Sequence, residues 1–330
     1  MWMILSRWGP PRSTECANNS KIMHHTCQMA GTPVEEEKSE GPATTLPFLG
    51  IEIDSVAMEL RLPVDKLAQL KQVLSQWRGK KACLKRDLLS IIGSLSHASK
   101  VVKSGRAFTR RLIDLSKSVK RPHHHVRLSR EARSDIEWWY RFAEEWNGVS
   151  LLRDQNRERP EVIVTSDASG TWGCGAFCGH QWFQLQWSTT TQDAHITIKE
   201  LVPIVIAGAI WGKNWYGRTV QARCDNAAVV AILNWGSSKD PEVMHLMHCL
   251  AFIQTRFQFY LFSSHIQGIK NDLADALSRN NANYFKCHYP QAAQHPSPIP
   301  QELLDLMLIS KPDWTSALWT GLWSTIFAVD

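Results

Sequence analysis

Between residues 162 and 279 the sequence alternates between strand and helix patterns in an order that few folds accommodate. Three short β-branched or aromatic runs come first, beginning at 162, 172 and 182, and predict an antiparallel meander. The elements predicted next are a helix over 198–215, a strand over 219–224, helices over 226–235 and 241–256, a strand over 258–263 and a helix over 271–278. Because the later strands are joined by helical crossovers, the order predicts an α/β fold with a mixed five-stranded sheet and flanking helices.

The upstream part has a different period and a different charge. Periodic apolar residues predict five helices: one near 15–30, one from Asp65 to Trp77, one that starts near Lys85, one that runs through Phe108 and Leu115, and one over 129–146. A strand is predicted over 46–54, with its hairpin partner over 58–62. A polar, unpatterned run over 150–160 indicates a linker.

Charge is concentrated in these helices. Residues 61–141 hold 20 Lys or Arg against 6 Asp or Glu, a local charge of +14 in a chain whose formal net charge is +6. Such a segment repels itself unless a polyanion lies nearby, and nucleic acid is the commonest one. The alternative is an ordinary solvated basic face.

Composition bounds the remaining properties. With 330 residues and 44% hydrophobic content, the chain can bury substantial cores in two or three domains. Its eight cysteines form no C-x-x-C pair, which favours a reducing intracellular environment without structural disulfides. No run is long enough to cross a membrane. A nuclear and a cytoplasmic location fit equally well.

Four acidic residues stand at the ends of the predicted elements. Asp167 and Asp225 each end a strand, Glu200 lies at the start of a helix, and Asp275 lies in the last helix beside Asp272. Each has a purely structural alternative: an Asx turn, a capping box with Thr197, a helix cap, and complementation of the helix dipole. Hydrolysis of phosphodiesters by two metal ions needs carboxylates that converge from separate elements, and this set has that order.

Four motifs carry a resemblance to a known family. They are Thr-Ser-Asp-Ala-Ser at 165–169, Ile-Lys-Glu-Leu at 198–201, Cys-Asp-Asn at 224–226 and Ala-Asp-Ala-Leu-Ser-Arg at 274–279. They resemble the carboxylate motifs of the type 1 ribonuclease H domain of retroelements. The resemblance spans 162–279 and implies a ribonuclease H-like fold.

The same resemblance implies roles for particular residues. It makes Asp167, Glu200, Asp225 and Asp275 the ligands of two Mg²⁺ ions, with Mn²⁺ as an alternative, and it selects Asp275 over Asp272. His265, in the loop before the last helix, corresponds to a histidine that assists turnover. Substrate contacts are expected from three further residues, Ser169, Gly173 and Asn226.

A wider resemblance covers nearly the whole chain. The run Phe-Leu-Gly-Ile-Glu-Ile-Asp at 48–54 resembles the hairpin after a polymerase palm, and the basic helices resemble a thumb and connection. Taken whole, the chain is similar to the reverse transcriptase and ribonuclease H polyprotein of DIRS-type, tyrosine-recombinase retrotransposons. The domains implied are a palm remnant with its hairpin over 1–62, a basic helical thumb or connection region over 63–150, a linker over 151–160, a ribonuclease H-like domain over 161–282, and a Pro-rich spacer with a helical tail over 283–330.

One departure from that family bears on activity. The aspartate pair that polymerisation needs would fall just upstream of Gly9, but residues 1–8 contain no acidic residue and the first aspartate of the chain is Asp54. We therefore expect no DNA synthesis.

The leading hypothesis is an endonuclease that cuts the RNA strand of RNA-DNA hybrids, with a protein partner for the C-terminal tail as an additional expectation. A catalytically silent nucleic-acid-binding remnant is the alternative from a different class. A transposase or integrase on the same fold would need a late helical glutamate, for which Glu242 is the candidate, and the motif at 274–279 argues against it.

Overall fold

The computed structural model describes residues 13–32, 41–57, 59–143, 147, 160–189 and 191–308. Apart from Pro160, the predicted linker therefore lies outside the described residues. Trp314, Trp319 and Trp323 of the tail lie outside them as well. Among the described residues, none of the helices is both long and apolar enough to pass through a lipid bilayer. All eight cysteines are described, and each is a free thiol.

The N-terminal part consists of one helix and a small sheet. Helix α1 (Glu15–Met29) is followed by an antiparallel meander of β1 (Thr45–Phe48), β2 (Ile51–Asp54) and β3 (Glu59–Arg61). The prediction of one continuous strand over 46–54 was wrong. Leu49 and Gly50 both have positive φ angles, 51° and 74°, and two consecutive left-handed residues turn the chain into a tight hairpin. The predicted return over 58–62 is confirmed by β3.

Four helices form the basic region. They are α2 (Val64–Trp77), α3 (Lys85–Ala98), α4 (Arg110–Lys117) and α5 (Arg130–Phe142), with a 3-10 turn at Lys103–Thr109 before α4. Their apolar faces are buried at Leu74, Leu88, Leu95 and Leu112. A short ribbon that the sequence did not predict, β4 (Ala82–Leu84) paired with β5 (His125–Arg127), links α2 to the segment before α5. Strands of three residues carry too little alternation to be recognised.

The predicted mixed sheet is confirmed. Its strands are β6 (Val162–Ala168), β7 (Gly173–Cys178), β8 (Gln181–Gln186), β9 (Thr219–Cys224) and β10 (Tyr260–His265). Their spatial order is β10-β9-β6-β7-β8, in which β6, β7 and β8 are antiparallel neighbours while β9 and β10 run parallel to β6. This is the α/β, ribonuclease H-like arrangement expected from the order of the elements.

Helices cover both faces of this sheet. They are α6 (Ile196–Trp211), α7 (Ala227–Trp235), α8 (Pro241–Arg256), α9 (Asp272–Ser278), α10 (Ala282–His288) and α11 (Gln301–Leu308). On one face Phe183, which pairs with Ala176 of β7, contacts Trp211 of α6. On the other face Gly175 meets Leu277 of α9. Helices α6 and α9 thus pack on opposite faces of the sheet.

The region after Asn280 differs from the expected flexible spacer. Helix α10 was not predicted, and the following residues bond to the edge strand β8: Ala293 N donates to His180 O and Ser297 N donates to Trp182 O. The indole of Trp182 donates to Ala293 O at 2.8 Å. These contacts give partners to two backbone carbonyls at the start of the edge strand, and they hold the Pro-rich segment against it. The predicted amphipathic helix forms α11 and buries Leu303 and Met307.

The helical region packs directly on the sheet domain. Phe108 stacks between Trp138 of α5, at 3.8 Å between ring centroids, and His248 of α8, at 4.4 Å. His248 Nε2 lies 3.2 Å from Ala107 O, and Arg111 pairs at 2.9 Å with the fully buried Asp135. The basic helices are therefore held against the nuclease-like sheet through a shared aromatic core.

Candidate active site

Asp167 lies near the end of β6 and points to α9. Its side chain is buried, at 6% exposure, and its two carboxylate oxygens accept hydrogen bonds from Ser278 Oγ at 2.6 Å and Asn271 Nδ2 at 3.2 Å. Its partner across the ladder is Gly175, where an added Cβ would lie 2.4 Å from Leu277 Cβ. The missing side chain at Gly175 thus lets α9 approach the strand closely enough to hold Asp167.

Glu200 does not form the capping box that the sequence allows. Helix α6 begins earlier than predicted, and its N-cap is His195, whose Nδ1 accepts from Thr197 N at 3.2 Å. Glu200 therefore lies inside the helix and faces the sheet, with 5% exposure. Its Oε2 accepts from the thiol of Cys224 at 3.7 Å. Because His195 is the N-cap, the capping box between Thr197 and Glu200 is ruled out.

Asp225 is likewise free of a capping role. The cap of α7 is Asn226, whose Oδ1 accepts from Ala228 N at 3.0 Å and Val229 N at 3.3 Å. Ligating atoms of Glu200, Cys224 and Asp225 all lie within 4.8 Å of one another, which is the one such three-residue group in the described part of the chain. Strand β9 and helix α6 therefore bring two of the predicted metal ligands together.

Asp275 and Asp272 point to different places on α9. Asp275 Oδ1 accepts from Arg279 Nε at 2.7 Å, one helical turn on. Asp272 approaches the hydroxyl of Tyr284 at 3.5 Å and lines a cavity on the sheet face instead. The charge of Asp275, unlike that of Asp272, acts on Asp167. The choice of Asp275 over Asp272 as a metal ligand stays a prediction.

The electrostatics of the cluster favour a cation. Burial is the largest cause that raises the pKa of Asp167 to about 6, against the lowering effect of the Ser278 hydrogen bond and with the added charges of Asp225 and Asp275. Burial, followed by the charges of Asp167 and Asp225, raises the pKa of Glu200 to about 8. The buried pair Asp167 and Glu200 thus lies in the field of neighbouring carboxylates, and Arg279 is engaged by Asp275.

These residues fit a divalent metal. Oxygen donors of this kind suit Mg²⁺ and Mn²⁺, and a cation would offset both the burial and the neighbouring charges that raise the pKa values of Asp167 and Glu200. Donor atoms of Glu200 and Asp225 lie within 4.8 Å of each other, and the charges of Asp225 and Asp275 act on Asp167. The Oδ1 atom of Asn271, buried beside Asp167, has no hydrogen-bond partner among the described residues.

His265 ends β10 beside the cluster. Its ring is exposed, and Nε2 lies 3.0 Å from the backbone oxygen of Asp225. The histidine predicted from the loop position is therefore adjacent to one of the carboxylates and open to solvent. That combination suits a group that exchanges protons with substrate or water.

The predicted substrate contacts have structural roles in the described chain. Ser169 is buried, and its hydroxyl accepts from the backbone nitrogens of Trp172 and Gly173 at 2.9 Å each, which builds the β6–β7 turn. At Gly173 a Cβ would lie 1.9 Å from Leu185 O, so the glycine permits close strand packing. Asn226 is partly exposed and caps α7. Their contact with substrate stays a prediction.

Three side chains of the site were not singled out from the sequence. Ser278 and Asn271 hold Asp167, and Cys224 contacts Glu200. Ser278 stands three residues after Asp275, a spacing that places both on one side of a helix, so this signal was available. For Asn271 and Cys224 only the fold shows the contact.

Comparisons with known proteins give a weak structural likeness. No family model matches this chain, and no curated protein matches it either. Among solved structures, a foamy viral protease-reverse transcriptase in complex with RNA/DNA hybrid is similar, with 13% identity, a TM-score of 0.34, and coverage of 75% of this chain and 33% of that chain. The same viral protein in complex with dsDNA gives 14% identity, a TM-score of 0.33, and coverage of 76% and 51%.

The chain thus spans between a third and about half of these solved chains. The likeness is to a retroviral reverse transcriptase rather than to an element of DIRS type. At these TM-scores it carries no inference about function, which has to be argued from the residues of the site.

Proposed function

We propose that this chain is a ribonuclease H-type endonuclease that hydrolyses the RNA strand of RNA-DNA hybrids with two Mg²⁺ ions held by Asp167, Glu200, Asp225 and Asp275. The observation that carries the proposal is the state of Glu200. It is buried at the sheet edge, within 4.8 Å of a ligating atom of Asp225, and no basic side chain among the described residues pairs with it. A carboxylate buried in this way destabilises the fold unless it binds something positive.

The neighbouring residues prepare the carboxylates for that role. Metal ions bound here would activate a water and stabilise the leaving oxygen of the phosphodiester. Ser278 and Asn271 orient both oxygens of Asp167, and Arg279 holds Asp275. His265 would carry a proton once its Nε2 leaves the backbone oxygen of Asp225.

The basic region supplies a surface for the substrate. The β4–β5 pairing and the bond from Arg86 N to Pro122 O gather exposed cations, which are Lys81, Arg86, Lys120, Arg121 and Arg127. Phosphate binding by such residues releases counterions and should weaken steeply as salt increases. The shared aromatic core between this region and the sheet would keep the surface at a set position relative to the carboxylates.

The test is cleavage of a labelled RNA-DNA hybrid by the purified full chain with Mg²⁺ or Mn²⁺. We expect internal cuts in the RNA strand, abolished in Asp167→Asn and retained in Asp193→Asn, which changes an exposed aspartate of the same domain. Binding of the uncut hybrid should survive Asp167→Asn. A wild-type protein that binds the hybrid and never cuts it would contradict the proposal and favour the silent nucleic-acid-binding alternative.

Finer features of the resemblance are part of the same proposal. An origin in a DIRS-type element, the absence of DNA synthesis, a protein partner for the tail, and the location in nucleus or cytoplasm all stay predictions. A primer-extension assay with the full chain addresses the second of these directly.

A further inference from the structure

The carboxylate cluster contains a sulfur ligand that the proposed nuclease reaction does not use. Cys224 is completely buried, and its Sγ lies 3.7 Å from Glu200 Oε2. The Asp225 carboxylate completes a group whose ligating atoms lie within 4.8 Å of one another. We propose that Glu200, Cys224 and Asp225 form a binding site for Zn²⁺ that competes with the catalytic Mg²⁺ pair and switches the nuclease off.

The distances suit a tetrahedral ion. With Zn–S near 2.3 Å and Zn–O near 2.0 Å, a thiolate sulfur and a carboxylate oxygen of one tetrahedral site lie about 3.5 Å apart. The 3.7 Å between Cys224 Sγ and Glu200 Oε2 is close to that value. Three protein ligands with the fourth position open is a common arrangement for Zn²⁺.

The surroundings of the sulfur also suit a bound metal. Asn226 N donates to Cys224 Sγ at 3.4 Å, which stabilises a thiolate. Burial, and next the charge of Glu200, raises the pKa of the Cys224 thiol far above its usual range, so the thiol is protonated when no metal is bound. Binding of Zn²⁺ would displace to solvent the proton of the Cys224 thiol, and that of the Glu200 carboxyl where it is protonated, with no change in oxidation state.

A second, independent observation points to a ligand at this position. The Ser166 hydroxyl is completely buried and has no hydrogen-bond partner among the described residues. Because Thr165 is the ladder partner of Arg223 and the strands are parallel, Ser166 and Cys224 follow at the next position, on the α6 face that also carries Glu200. A ligand in the fourth tetrahedral position would give this hydroxyl a partner.

Competition follows from shared residues. Glu200 and Asp225 belong both to the Zn²⁺ group and to the proposed Mg²⁺ set, so one occupant excludes the other. Zn²⁺ binds N, O and S ligands more tightly than Mg²⁺, and a thiolate widens that difference because Mg²⁺ prefers oxygen. This inference rests on the proposed nuclease for its regulatory part, while the metal site itself does not.

The test of the site uses Co²⁺ in the absence of nucleic acid, because a cobalt-thiolate bond gives a near-ultraviolet charge-transfer band. We expect this band when Co²⁺ is added to the metal-free full chain, and we expect Zn²⁺ to displace it. The band should be lost in Cys224→Ser, which keeps a buried hydroxyl in place of the thiol. The matched control is Cys174→Ser, because Cys174 is also completely buried and its pKa also responds to the charge of Glu200, yet it lies outside the three-residue group. Zn²⁺ affinity should fall by more than about tenfold in Cys224→Ser alone.

Thermal unfolding of each variant verifies that it is folded, with Cys224→Ala as the second variant if the serine disturbs the sheet. In the cleavage assay, Zn²⁺ inhibition is compared with each protein's own uninhibited rate and should require more Zn²⁺ in Cys224→Ser. A band that persists without Cys224, or disappears without Cys174, overturns the site. A protein that shows the Cys224-dependent band and never cuts the hybrid supports the site and contradicts the nuclease.

Discussion

Replacing Glu200 by Gln should stabilise the metal-free protein at pH 8 and leave it nearly unchanged at acid pH. Burial, followed by the charges of Asp167 and Asp225, raises the pKa of Glu200 from 4.5 to about 8. Glutamine has the same size and keeps an oxygen that can accept from the Cys224 thiol, so packing should be conserved. The substitution therefore removes a titration and little else.

The sign and size follow from linkage. Because the folded-state pKa lies above the unfolded-state value, the stability that Glu200 contributes is complete below about pH 4.5 and is lost as the pH increases through about 8. At about 1.36 kcal/mol per pKa unit, ionisation lowers the free energy of unfolding by about 2 kcal/mol at pH 6 and about 4 kcal/mol at pH 8. The difference of about 2 kcal/mol between these pH values corresponds to roughly 4–8 °C in Tm.

The assay is thermal unfolding in EDTA at several pH values between 6 and 8. We expect the Tm of the wild type to fall relative to that of Glu200→Gln by roughly 4–8 °C over this range. Glu242→Gln, at an exposed site on α8, should follow the wild type. Added Mg²⁺ should restore the wild-type Tm at pH 8 because it binds the folded state. Parallel curves for wild type and Glu200→Gln would refute the idea that an ionisable carboxylate is buried at this edge.

Three further predictions concern the neighbours of the cluster. Ser278→Ala removes the 2.6 Å hydrogen bond to Asp167, so the acid limb of the pH–rate profile should move to higher pH, and an unmoved limb would contradict the orienting role. Gly175→Ala should lower the free energy of unfolding by about 1–3 kcal/mol through overpacking against α9, measured by denaturant unfolding, whereas Gly170→Ala, which meets nothing within 4 Å, should not. His265→Ala should lower kcat on the order of 10²-fold with the hybrid Kd unchanged, and an equal loss of binding would contradict proton transfer.

The order of the elements was predictable because each sheet strand and most helices carry a clear period. The failures come from one local turn and from one contact between distant residues, neither of which a period describes. The turn at Leu49 and Gly50 interrupts a run whose alternation is otherwise unbroken. The segment after Asn280 is held by the indole of Trp182, which donates to Ala293 O, and by Ser297 N, which donates to Trp182 O, between residues more than a hundred positions apart. No local pattern encodes a contact at that separation.

The candidate site shows the same division. The sequence was enough to propose the four carboxylates as a set, and the spacing of Ser278 from Asp275 was visible, whereas Asn271 was not predictable because it meets Asp167 only after β6 and α9 pack together. The cysteine at 224 had no visible role in the sequence because its partner, Glu200, lies on another element. Residues that act through tertiary contact have no signature in spacing.

The helix caps decide how two of these carboxylates are understood. In sequence, Glu200 and Asp225 each have an ordinary explanation as part of a cap, and either explanation would leave no carboxylate to bind a metal. In the structure the neighbouring residues His195 and Asn226 supply those caps instead. Neither Glu200 nor Asp225 therefore caps a helix, and their carboxylate oxygens lie within 4.8 Å of each other and of Cys224 Sγ. Glu200 is thus a buried carboxylate that accepts a hydrogen bond from Cys224 and pairs with no basic side chain among the described residues, which is the state that the proposed cation would neutralise.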